Sequence, residues 1–254
     1  MSSDNYATTG ALNYFLAPPD GSRPYNNINA NSVTGEHARN WMEDHRIVNI
    51  KNVRGSEDQY TFDNAGFQFG RQVSRHTRFV DDKEIEQEYS PECVELIKNI
   101  ATASSVVIFD HTIRRHRPGE ADDSPQNRQP VALVHRRFQI PDLWRPISHT
   151  ALDWPLALCD FRSVDVKRDL TAVTLIYPDR EGGAYSVKYN DSHKWKYMRG
   201  MEPDEYVFIK CFDSVQDGSV AILTPHTGFQ DPNSPEGAPL RQSIEIRALV
   251  FYDD

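Results

Sequence analysis

Arg241, Ser243, Glu245 and Arg247 occupy alternate positions in RQSIEIRALVFYDD, residues 241–254, and one imidazole, His226, stands fifteen positions before the first of them. Side chains alternate between the two faces of a strand, so these four share one face while Ile244, Ile246, Ala248 and Val250 take the other. Two arginines on one strand face admit two readings. Either the face is a solvent stripe in which Glu245 pairs Arg241 or Arg247, or it lines a barrel mouth and one arginine holds a carboxylate by a bidentate, charge-assisted pair. His226 lies in the corner Thr-Pro-His-Thr-Gly-Phe, just after the alternation SVAIL (219–223) and where that strand is expected to stop. An imidazole at such a point is a strand cap or a metal ligand.

The ligand reading asks for partners. A facial iron site needs two imidazoles and one carboxylate on one side of the ion, with three positions left for other ligands. The second imidazole is expected from His135 in PVALVHRRFQIPDLWRPI, 91 positions before His226. It is followed by Arg136 and Arg137, where His-x-Asp or His-x-Glu would supply the carboxylate; Asp142 is the nearest alternative. Trp144 and Arg145 are candidates for a substrate platform and anion partner, against the plainer reading of a core tryptophan beside a surface arginine. His111, His116 and His193 read as structural or solvent-facing, and His37, His45, His76 and His149 carry no local pattern.

These residues must be positioned by strands. RIVNI, SVVIFD, PLALCD, AVTLIYP, YSVKY, EYVFIKCF, SVAIL and SIEIRALVFY have the short, alternating or apolar character of β-structure. The clearest helix is SPECVELIKNIATA, residues 90–103, with Ser90 expected as N-cap, Pro91 at the first helical position, and Cys93, Leu96, Ile97 and Ile100 on one face. The acidic DDKEIEQEY before it reads as a solvated helical turn or two. One domain is expected over 1–254: an extended N-terminal arm over 1–35, α/β elements over 36–103, and a strand-rich core over 104–254.

Composition narrows the function classes. The net charge of -9 argues against nucleic acid and anionic membranes as partners, since such surfaces need clustered excess Lys and Arg. No apolar run approaches the roughly 20 residues of a membrane helix, and the first residues lack the pattern of a signal peptide, so a cytoplasmic protein is expected. Cys93, Cys159 and Cys211 are too few and too scattered for a disulfide framework or a zinc knuckle.

A resemblance runs through nearly the whole chain. TGALNYF, VRGSEDQYTFDNAGFQF, VVIFDHTIRRHRPG, WRPISHTALDWPLALCD, LIYPDR, HKWKYMRGMEPDEYVFIKCFDS, TPHTGFQDP and RQSIEIRALVFY resemble the hydroxylase/desaturase group that includes AsaB-like, gibberellin desaturase-like and CmcJ-like proteins. The resemblance implies a mainly β fold with flanking helices around a double-stranded β-helix, a cupin-like jelly roll. It implies non-haem Fe(II), 2-oxoglutarate, molecular oxygen and a small organic substrate of secondary metabolism, which is hydroxylated or desaturated. His135 and His226 match the metal histidines, and Arg241 with Ser243 matches the clamp on the far carboxylate of 2-oxoglutarate, with Arg247 the alternative. In relatives a carboxylate-bearing segment follows the first histidine; here Val134-His135 runs straight into Arg136-Arg137-Phe138. Three readings of that gap stand: a misjoined sequence, a member that has lost catalysis and works as a binding or accessory subunit, or a carboxylate recruited from elsewhere. A partner enzyme is allowed by the resemblance to CmcJ, and assembly into a homo-oligomer is also open.

Overall fold

The computed structural model describes residues 7–28, 30, 38–115 and 137–253. Its strands are β1 (Ala7–Leu16), β2 (Tyr25–Asn27), β3 (Met42–Asn52), β4 (Phe67–Arg71), β5 (Ser105–Arg115), β6 (Phe138–Pro146), β7 (Leu156–Cys159), β8 (Leu170–Ile176), β9 (Glu181–Val187), β10 (Trp195–Tyr197), β11 (Glu205–Asp213), β12 (His226–Gly228) and β13 (Gln242–Phe251). They form two five-stranded sheets, ordered β1-β3-β10-β7-β12 and β4-β11-β6-β13-β5, and a smaller sheet β2-β8-β9. The order crosses the chain repeatedly between sheets, and the second sheet is antiparallel throughout. This is the jelly roll expected from the sequence.

Alternation explains how the layers pack. Trp144, Val207 and Ile209 from the second sheet meet Leu158 of β7 in the core between the two large sheets. The opposite face of β13 turns Ile244, Ile246, Ala248 and Val250 toward a helix, where they meet Cys93, Leu96 and Ile97. Burying such a stripe is what holds a short helix in place, since its own propensity is marginal.

The helix runs Ser90–Ala101, and Thr102 closes it in the left-handed conformation with φ 52°. Ser90 is not its cap. A helical turn at Asp82–Glu84 and a π turn at Ile85–Tyr89 lead into it without a break, and the capping side chain is Asp81, which accepts from the amides of Lys83 and Glu84. The acidic stretch is therefore only half solvated, because Ile85 and Tyr89 are buried at the sheet.

Two expectations for the chain's course are corrected. Ala7–Leu16 is no surface arm: it pairs in register with β3 over its whole length, and Thr8, Gly10, Leu12 and Tyr14 are buried on one face. SVAIL is not a strand. Ala221 and Leu223 are buried, but residues 219–223 pair with no strand among the described residues.

Candidate active site

His226 opens a strand; it does not end one. Pro225 has no amide proton, but its carbonyl accepts from the amide of Cys159, and the ladder then continues with His226 opposite Leu158. Directly opposed residues in an antiparallel pair share a face, so His226 points to the same side as Leu158, into the space between the sheets. Its Nδ1 lies 2.9 Å from the carbonyl of Thr224. A carbonyl only accepts, so Nδ1 carries the proton and Nε2 keeps its lone pair, the arrangement that orients a metal-binding imidazole.

Two residues along β12, Gly228 faces the same way, and there the guanidinium of Arg241 comes in. A Cβ at Gly228 would lie 3.2 Å from Arg241 Nη1, so the glycine leaves that approach open. Arg241 is 4% exposed; its Nη1 donates to the carbonyl of Trp154 at 3.1 Å. Ser243 follows on the same face of β13, fully buried, with a hydroxyl that has no partner among the described residues. A buried, unsatisfied hydroxyl beside a buried guanidinium costs free energy unless an acceptor completes it. Two strand residues, about 7 Å at about 3.3 Å each, separate the imidazole from this pair along β12. That is the span of a short dicarboxylate.

Further along β13, a row of charges crosses the second sheet. Asp110, Arg247 and Asp142 stand opposite one another on β5, β13 and β6. Arg247 donates from Nε to Asp142 Oδ1 at 2.9 Å and from Nη2 to Oδ2 at 3.3 Å, with Asp110 at 3.8 Å and Glu245 at 3.7 Å. Burial disfavours the charged guanidinium, but Asp142 beside it more than compensates and raises its pKa. Burial pushes the Asp110 carboxyl up to about 6, against the pull of Arg247. Cys211 adjoins Asp142, its thiol raised well above the usual range, chiefly by burial.

His226, Asp142, Cys211 and Arg247 all line one cavity of about 720 Å³, walled by β1, Trp41, Trp195 and the small sheet. Among the described residues, no group of three His, Cys, Asp or Glu is placed to hold a metal. His135 lies outside the described residues, as does Arg136. Arg137, two places after His135 where a carboxylate would stand, instead pairs with buried Asp213 at 2.9 Å and lies over the Tyr252 ring at 5.0 Å.

Trp144 and Arg145 do not line the cavity. Trp144 shares the inner face of β6 with Asp142, but lies deeper, among Phe67, Leu158 and Val207. Arg145 is no surface arginine: it projects from the opposite face of β6 and is buried, its guanidinium 5.6 Å from the centroid of Tyr89 and 6.0 Å from that of Tyr206. Strand alternation separates the two, so adjacent residues of one motif cannot both face one pocket. The aromatic wall of Tyr14, Trp41 and Trp195 was missed by sequence reasoning; the buried alternation Leu12, Tyr14 at the start of the chain is the signal that would have found part of it. His193 is structural, its Nε2 3.0 Å from Asp169 with both side chains buried.

Fold and site define a jelly-roll protein with an imidazole, a buried arginine and a buried serine hydroxyl between its large sheets. A family described as "Oxidoreductase/YMDC permease-like domain" matches residues 12–136 and 136–251. Hydroxylase/desaturase efuI of Hormonema carpetanum is 30% identical over 96% of this chain and 94% of its own. Hydroxylase/desaturase asaB of Aspergillus flavus is 33% identical over 83% of this chain and 82% of its own. The solved structure of the iron and alpha-ketoglutarate-dependent endoperoxidase NvfI shares the fold, with a TM-score of 0.84 over the whole of both chains at 23% identity. The chain belongs to this oxidoreductase family, with the hydroxylase/desaturase proteins among its relatives.

The same comparisons bear on the gap after His135. The family's two matched stretches meet at residue 136. Because 289 aligned positions with efuI span 96% of this chain of 254 residues, about 45 of them have no counterpart here.

Proposed function

We propose that this protein is an Fe(II)/2-oxoglutarate-dependent oxidoreductase that hydroxylates or desaturates a small organic substrate of secondary metabolism. The observation that carries the reading is the placing of His226 Nε2 on the inner barrel face, two strand residues from a buried guanidinium and an unsatisfied hydroxyl. His226, with His135, is assigned to the metal. Arg241 and Ser243 are assigned to the far carboxylate of 2-oxoglutarate, because Arg247 is already gripped by Asp142. When bound with oxygen, iron and the keto acid supply the oxidising power to remove hydrogen from an unactivated C–H bond.

The protein's own residues hold and orient. Thr224 fixes the His226 tautomer through its carbonyl, Gly228 leaves room for the guanidinium, and burial of Ser243 keeps water from the cradle. Asp142 is the one carboxylate among the described residues that line the cavity, so it is the candidate to replace the missing ligand. A second reading, an impaired member that binds a small molecule or serves a partner enzyme, is favoured by Arg137, which stands in the carboxylate's place and is committed to Asp213. A cytoplasmic location belongs to the same proposal and is supported by three free cysteines, Cys93, Cys159 and Cys211.

Anaerobic addition of Fe(II) and then 2-oxoglutarate decides between the readings. A weak visible charge-transfer band is expected, lost in His226→Ala. No band from folded protein overturns the oxygenase assignment.

A further inference from the structure

We propose that the cavity takes a neutral, predominantly apolar substrate and turns anionic substrates away. This deepens the oxygenase reading of the same site and rests on it. Three observations converge. The small sheet presents one apolar face to the cavity: register sets Leu170 opposite Val187 and Ala172 opposite Tyr185, with Gly183 next in line on β9. This face is half open to solvent, Tyr185 being 60% exposed, so an occupant would cover apolar surface that now meets water.

The facing wall is aromatic, and its polar atoms are already used. Trp41 Nε1 donates to Asn26 Oδ1 at 2.7 Å, and Trp195 Nε1 donates to the Tyr14 hydroxyl at 2.7 Å, with His193 Nδ1 3.4 Å from that same hydroxyl. Tyr14 and Trp195 are almost fully buried, so of these three rings the half-buried Trp41 is the one a ligand can reach, and its indole N–H is already donated.

Charge supplies the third observation. Arg247 is the one arginine or lysine among the described residues that line the cavity, and Asp142, Asp110 and Glu245 surround it. An anionic ligand would have to displace Asp142 from a two-point hydrogen bond and would then face the two remaining carboxylates. Like charges at that range cost more than the exchange returns. A neutral ligand meets no such penalty.

The test uses metal-free protein without 2-oxoglutarate, read by tryptophan fluorescence, with abietinol and abietic acid as probes that share one fused-ring skeleton and differ in charge. Abietinol is expected to bind with a Kd at least tenfold below that of abietic acid at pH 7.5. A Cβ at Gly183 meets nothing within 4 Å, so Gly183→Leu is expected to fold and to weaken abietinol binding at least fivefold by filling the space. Ala172→Phe, on the same face, serves if Gly183→Leu does not fold. Equal or tighter binding of the acid, no saturable binding of either probe, or an unchanged Kd in the folded filling variant overturns the proposal. Because no metal is present, abietinol binding without a charge-transfer band removes the iron assignment alone, and a band without abietinol binding removes the substrate assignment alone.

Discussion

Arg247 grips Asp142 through one edge of its guanidinium, Nε to Oδ1 at 2.9 Å and Nη2 to Oδ2 at 3.3 Å, across the β13–β6 pairing and inside the cavity that His226 lines. Asp142 is 1% exposed, so removing one partner strands a charge out of water. Asp142→Ala is expected to lower unfolding stability by about 3–5 kcal/mol, whereas replacing both residues with apolar ones of similar volume recovers most of that loss. Urea denaturation of the two variants checks this. A single-variant loss below about 1 kcal/mol would show that the pair is solvated and weak.

Two carboxyls give the stability profile opposite slopes on either side of about pH 4. Burial works against ionised Glu205, but hydrogen bonds from Arg54 at 2.9 and 3.0 Å and from Arg71 at 2.8 Å outweigh it and bring the carboxyl down to about 2. A carboxyl depressed on folding contributes stability that is present above its unfolded value of about 4.3 and is lost as pH falls toward 2. Asp110 has the reverse sign: raised to about 6 by burial, it favours the folded state when protonated and loses that contribution as pH rises from about 4 to about 6. Asp110→Asn is expected to flatten the profile between pH 4 and 6, and Glu205→Gln to flatten the acid limb below 4.3. Thermal melts across that range measure both; an unchanged slope in either variant contradicts its assignment.

The helix carries a stability prediction of its own. Ile97 is fully buried among the strand residues of β13 and β6, so Ile97→Ala removes packed surface and leaves a cavity. A loss of about 2–5 kcal/mol is expected. Ile100 on the same stripe is only partly buried, and Ile100→Ala should cost less. Equal losses in denaturant melts would place the helix differently on the sheet.

How much of this was legible follows the period of each segment. The alternation in RQSIEIRALVFY separated Ile244, Ile246, Ala248 and Val250 from Arg241, Ser243, Glu245 and Arg247, because a two-residue period is written in the sequence, but it left open which face meets solvent; the structure packs the apolar face on the helix. It gave no sign of the irregularity that pairs Arg247 with Asp110 but Ala248 with Ile108, leaving Phe109 without an opposite residue. The pairing of Arg247 with Asp142 was not readable either, since the two are 105 positions apart and meet only through strand register. SVAIL carried a strand's period but pairs with no strand among the described residues, and β1 hid its role because small and polar residues share its buried face. Apolar pattern reports which side a residue faces, not which strand lies beside it.

On the proposed assignment, Arg241 binds the keto acid apart from the metal at His226, and the two affinities can be tested separately. A Cβ at Gly228 would come to 3.2 Å from Arg241 Nη1, a contact relieved only by moving an arginine that is 4% exposed. Gly228→Ala is therefore expected to weaken 2-oxoglutarate binding while leaving metal binding at His226 unchanged. Arg241→Ala removes the charge itself. Charge-assisted hydrogen bonds contribute about 1.5–3 kcal/mol, so its 2-oxoglutarate affinity should fall by about 10- to 150-fold. Ser243→Ala should have a smaller effect of the same sign, because it deletes a neutral donor whose hydroxyl is otherwise unsatisfied. Titration calorimetry with Co(II) first and 2-oxoglutarate second reads the two affinities apart. Unaltered keto-acid affinity in Arg241→Ala, with a loss in Arg247→Ala instead, would move the clamp six residues along β13 to Arg247.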